Sequence, residues 1–125
     1  MAASSKGPVR TVMLGWVTFL LMTVAVVLVR GADHVANMAV FAAIGVAMLI
    51  WVALRRGRAA LIASLVLGLL HVAEQIAYLL AGGTDSLEVG VDVLGLVSGL
   101  LLVAGASWEL RRRRAHSDPP YAAAR

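Results

Sequence analysis

Residues 69–92 read LLHVAEQIAYLLAGGTDSLEVGVD. Two strongly apolar segments flank a GGTDS turn, and five polar side chains, His71, Glu74, Gln75, Glu88 and Asp92, sit in or beside them. An ionised carboxylate at the centre of a membrane helix costs roughly 2.5–3.5 kcal/mol on insertion scales, so such groups face a partner, a cavity or a ligand. The stretch predicts a helical hairpin of a membrane bundle with its polar residues turned inward.

The rest of the composition extends this reading. The 125-residue chain is 61% hydrophobic and 14% charged, with a mean hydropathy of +0.89. That leaves too little polar surface for an ordinary water-soluble domain. Two further apolar runs of bilayer-spanning length complete an all-α, four-transmembrane-helix bundle, two helical hairpins with spans over 12–30, 34–54, 59–81 and 87–110. The first run follows a short basic segment, as in a signal peptide, but it is about 18 residues long and RGADH is a poor cleavage site, so it is read as a retained span. Residues 1–11 form a cytoplasmic segment, and 111–125 a basic, disordered tail in which Pro119 and Pro120 stop any helix.

Charge orients the spans. Lys6, Arg10, Arg55, Arg56, Arg58, Arg111, Arg112, Arg113, Arg114 and Arg125 fall on one side, and Arg30 alone on the other. The positive-inside rule then places both termini in the cytoplasm and the protein in the plasma membrane. The net charge of +4 is thus a topology signal, not a nucleic-acid footprint, and the four consecutive arginines are expected to anchor the last helix to anionic headgroups. The lipid bilayer is the expected partner, with a homodimer or larger membrane complex as a further one.

Between the spans, Asp33 is placed to cap the helix beginning at His34. The ends WVALRR (51–56) and WELRRR (108–113), each on a helix preceded by a Gly-x-Asp turn, suggest a faint repeat of two hairpins about an axis along the membrane normal.

Helical spacing groups the polar residues. Ser64, Gly68, His71, Gln75 and Tyr78 follow one another at three or four positions, with Glu74 three beyond His71, and form a stripe facing the bundle. Glu88, Asp92, Gly95, Gly99 and Ala106 trace a second stripe, in which the Gly95/Gly99 pair lets another backbone approach closely. His34, Asn37, Phe41 and Gly45 continue the pattern on the second helix. At about 1.5 Å per residue, Glu74 and Asp92 lie at similar depths in the outer half, and His71 about 4–5 Å deeper.

Three chemistries fit this group. His71, Glu74 and Asp92, with His34 or water as a fourth ligand, would suit zinc or a divalent first-row metal. Haem is disfavoured, because His34 and His71 differ in depth by roughly 13–14 Å from the rise per residue. A carboxylate in the outer half also suits a proton-coupled transporter acting as a homodimer. In the third, purely structural reading, Arg30 pairs with Asp92 or Glu88, and His71 with Glu74, as packing of a subunit without a ligand. In all three, Asn37, Gln75 and Tyr78 line the same pocket.

The absence of cysteine removes disulfides and thiol chemistry, and there is no phosphate loop, HExxH motif or serine with a histidine and acid context. The chain is therefore expected to be a binding or accessory membrane protein, not an enzyme. In size and number of spans it resembles the small multidrug-resistance transporters, but those carry their essential glutamate in the first helix, where this chain has none; the likeness extends to shape alone.

Overall fold

The computed structural model describes residues 2–82 and 85–117. They form four α-helices, α1 Ala2–Arg30, α2 Val35–Arg55, α3 Arg58–Ala81 and α4 Ser86–Ser117. Each is long and apolar enough to cross a membrane. At about 1.5 Å per residue even the 21 residues of α2 reach about 30 Å, the thickness of a hydrocarbon core.

The connections are short and their ends locally determined. Gly31 closes α1 with φ 98°, a conformation that glycine adopts without a Cβ penalty, while its N–H donates to the Val27 carbonyl at 3.0 Å. Ala32–His34 then tighten into a single 3₁₀ turn. Asp33 is therefore not the cap expected of it: it lies inside that turn, and the residue preceding α2 is His34, which makes no side-chain capping bond. Asp85 does cap α4, accepting the Leu87 N–H at 3.0 Å.

Two ends run further than the hydropathy indicates. α1 begins at Ala2 and carries Pro8 within it, and α4 continues through the arginines to Ser117. Residues 111–117, expected to be disordered, are thus helical. The reason is local: Glu109 accepts hydrogen bonds from Arg112 and Arg113, three and four residues on, which staple the extra turns. The part of the disordered-tail expectation that concerns 118–125 lies outside the described residues.

Packing is uneven. α1 and α4 run antiparallel in the most extensive contact: Gly105 lies against Pro8 and Val12, Gly15 against Leu102, and Arg30 reaches Asp92 at the far end. α3 packs on the other flank of α4, where a Cβ on Gly99 would stand 2.7 Å from Val72 Cγ2 and 3.3 Å from the Gly68 carbonyl oxygen. This is the close backbone approach that small residues permit. α2 leans on α1, with Gly45 over Phe19 and Leu20, and touches α3 only lightly. A two-fold relation between the hairpins would make the α2–α3 contact match α1–α4, and it does not. The bundle is parted along α2 and α3, and the core lies between α1, α3 and α4, around Val12, Trp16, Leu61, Leu102 and Ala106.

Candidate functional site: a cleft between α2 and α3

At the end of the bundle away from the arginine cluster, the gap between α2 and α3 opens into a cleft of about 280 Å³ floored by α1 and α4. The helical register of each element places its residues. On α1, steps of three and four bring Phe19, Met22, Val26 and Arg30 to one face, and on α3 His71, Gln75 and Tyr78 follow the same spacing with Glu74 at its edge. His34 and Asn37 line the cleft beside Phe41, and Asp92 closes it from α4. Of the residues expected to line the pocket or form its ion pair, Glu88 falls outside the cleft, lining a smaller recess of about 150 Å³ with Arg30, Tyr78 and Asp92.

Within the cleft the charges are unequally matched. Asp92 is buried, and its Oδ1 accepts a hydrogen bond from Arg30 Nη2 at 3.0 Å. The same guanidinium lies 5.7 Å from the centre of the Tyr78 ring, within cation–π range. Glu74 is exposed at the wall, and among the described residues no cation forms an ion pair with it. His71, Glu74 and Asp92 are not assembled as a metal centre: among the described residues no group of three such side chains is close enough to hold an ion. The physical reason is that Asp92 turns to the α1 guanidinium, while Glu74 lies one helical position from the buried face that carries His71 and Gln75. His71 does not bond Glu74 either. Its ring stands edge-on to Phe19, centroids 5.0 Å apart, and engages the Gly95 carbonyl.

Two acceptors are left over. His71 Nε2 and Gln75 Oε1, on side chains more than nine-tenths buried, have no hydrogen-bond partner among the described residues. They are four residues apart on one face of α3 and both side chains line the cleft. Gln75 is pressed there by Gly95, where a Cβ would stand 2.6 Å from the amide carbon. An unsatisfied buried polar group costs roughly 1–3 kcal/mol, so a pair of them beside an open cleft marks a place where a donor belongs.

Aromatic rings make the remaining wall. Phe19 packs edge-on to Phe41 at 6.4 Å and to Trp16 at 5.4 Å. Trp16 is fixed in turn by its Nε1–H, which donates to Ser64 Oγ on α3 at 3.0 Å and ties the diagonal helices together. The helical spacing puts Ser64 and Phe41 on inward faces but does not mark Phe19 or the Trp16–Ser64 bond. Nor does hydropathy mark Glu109, 1% exposed, whose carboxylate takes Arg112 at 2.6 Å and Arg113 at 2.8 Å. The available signal was the spacing of an acid and two arginines at i, i+3 and i+4.

No protein-family model, no characterised protein and no solved structure matches this chain.

Proposed function

We propose that the chain is a four-span protein of the cytoplasmic membrane, with both termini inside, whose outer cleft binds a small apolar amine in its protonated form. The observation that carries this reading is the charge pattern of the cleft: Arg30, its cation, is paired with Asp92, while the carboxylate of Glu74 opens on the same space with a hydrogen bond from Tyr78 but no ion pair among the described residues. A carboxylate held within a membrane helix calls for a cation or a proton. An alkylammonium supplies the charge, and its N–H groups are the donors that His71 Nε2 and Gln75 Oε1 lack. Phe19, Phe41 and Tyr78 offer ring faces and edges to its apolar part and to the charge itself. A divalent metal is less well served, because Asp92, the third ligand of the set, is engaged by Arg30.

Calorimetric titration of the purified full chain in detergent with benzylamine, benzyl alcohol and zinc chloride tests the reading. Benzylamine should bind and benzyl alcohol should not. Glu74→Gln should weaken benzylamine at least tenfold, as expected for the loss of a charged hydrogen bond of about 1.5–3 kcal/mol. Equal binding of amine and alcohol, or tight zinc binding with no amine binding, would overturn it. No binding of any of the three, with Glu74→Gln equivalent to wild type, would leave the polar residues as packing.

A further inference from the structure

The opposite end of the bundle carries a second, larger recess that the amine cleft does not use. Between the start of α3 and the end of α4 lies a groove of about 560 Å³. Its rim is basic, with Arg58 from α3 and Arg111, Arg113 and Arg114 from α4. Its wall is apolar, with Ile62 and Leu65 following Arg58 up α3 by one and two helical turns.

The charge at this rim is only partly answered from within. Glu109 takes Arg112 and Arg113. Among the described residues no carboxylate forms an ion pair with Arg58 or Arg111, both of which are exposed. Self-repulsion among so many guanidinium groups is relieved by an anion, and the planar donor forks of arginine match phosphate oxygens. The geometry also says which phosphate. Ile62 is exposed below Arg58, so an occupant seated on the rim continues onto apolar surface along the bundle wall. A free phosphate has nothing to place there.

We propose that this groove is a binding site for one anionic phospholipid, its phosphate held by Arg58 and Arg111 and its acyl chains lying along Ile62 and Leu65. The site rests on the membrane reading but not on the amine cleft. It differs from a diffuse attraction of basic termini to a charged surface, because it requires arginines from two helices at one place.

Native mass spectrometry of the full chain released from micelles containing equal phosphatidylglycerol and phosphatidylcholine tests it. One phosphatidylglycerol should be retained in preference to phosphatidylcholine, and the Arg58→Gln/Arg111→Gln double variant should lose that preference at least fivefold while keeping its helical circular dichroism. Arg55→Gln, which removes a charge at the same end but outside the groove, should retain the lipid. Equal retention of the two lipids, an unchanged double variant, or an equal loss in Arg55→Gln would each overturn the proposal. Displacement of the lipid by millimolar inorganic phosphate would make the groove a free-phosphate site and overturn its assignment to lipid. An alkaline carbonate wash of membranes separates the two readings: release of the chain would defeat the membrane assignment itself, whereas retention without lipid preference would defeat the groove alone.

Discussion

Arg30 Nη2 lies 3.0 Å from Asp92 Oδ1, joining the last residue of α1 to the first turns of α4 across 62 positions of sequence. The two side chains are 25% and 7% exposed, so the pair is shielded on the carboxylate side and wetted on the guanidinium side. It has two consequences. It closes the α1–α4 seam at the end away from the arginine cluster, and it engages Asp92, so that Glu74 is the carboxylate that faces the cleft without an ion pair among the described residues.

The pair should behave as a coupled unit. Arg30→Ala alone leaves a buried carboxylate unpaired, and Asp92→Asn alone leaves a cation without its partner. Each single replacement should destabilise by about 1–3 kcal/mol, given the partial exposure, and the double replacement should recover much of that loss. Melting temperatures of the four proteins in one detergent would measure the coupling. Additive single losses would show that the 3.0 Å contact contributes nothing.

The proposed topology rests on the charge count of the sequence, in which ten cationic side chains are expected on one side of the spans and Arg30 on the other. Because the chain has no cysteine, single cysteines can be introduced on an empty background. Impermeant maleimide applied to intact cells should label Asp33→Cys and Asp85→Cys and spare Gly57→Cys. Labelling at position 57 from outside would reverse the orientation.

The α3–α4 seam depends on the absence of two side chains. A Cβ on Gly68 would stand 2.8 Å from Leu102 Cβ, and one on Gly99 2.7 Å from Val72 Cγ2, with backbone oxygens 3.3 Å away in both cases. Gly99→Leu should therefore force the helices apart and destabilise by about 1–3 kcal/mol, the usual cost of overpacking. Gly90, where nothing lies within 4 Å, should accept alanine without loss. A Gly99→Leu protein that melts with wild type would show that the seam is not close-packed.

Much of this arrangement is legible in the sequence because it rests on local periodicity. The step of three and four from Ser64 through Gly68, His71 and Gln75 to Tyr78 predicts one inward stripe; the first four residues are buried, while Tyr78, at the cleft mouth, is exposed. The Gly95/Gly99 pair predicts a close helix contact, and α3 supplies it. What periodicity does not contain is which helices share the largest interface. The similar ends WVALRR and WELRRR place Val52 and Glu109 at equivalent positions, and both are fully buried, yet one meets an apolar core and the other folds two arginines back over itself. Equivalent local position thus gave no guide to tertiary surroundings. Helix ends depart from the hydropathy for a related reason: hydropathy marks the part of a helix suited to lipid, while α1 continues beyond it to Ala2 and the Glu109–arginine bonds carry α4 beyond it to Ser117.

Glu109 provides the last test, since its burial is tied to the extra turns of α4. Its two oxygens take three hydrogen bonds, from Arg112 Nε and Nη2 and from Arg113 Nε, at 2.9, 2.6 and 2.8 Å. Glu109→Ala removes all three at once and leaves four consecutive arginines without the carboxylate that holds two of them. Like charges three positions apart, as at Arg111 and Arg114, then repel, and a helix end that projects beyond the core is marginal on its own. Amide hydrogens of residues 111–117 should exchange at least tenfold faster in Glu109→Ala, while those of α3 should be unchanged. Glu109→Gln, which keeps the shape and one acceptor, should give an intermediate rate. If all three proteins exchange alike at 111–117, the ion pairs do not hold the terminal turns, and the helix there must be maintained by its backbone alone.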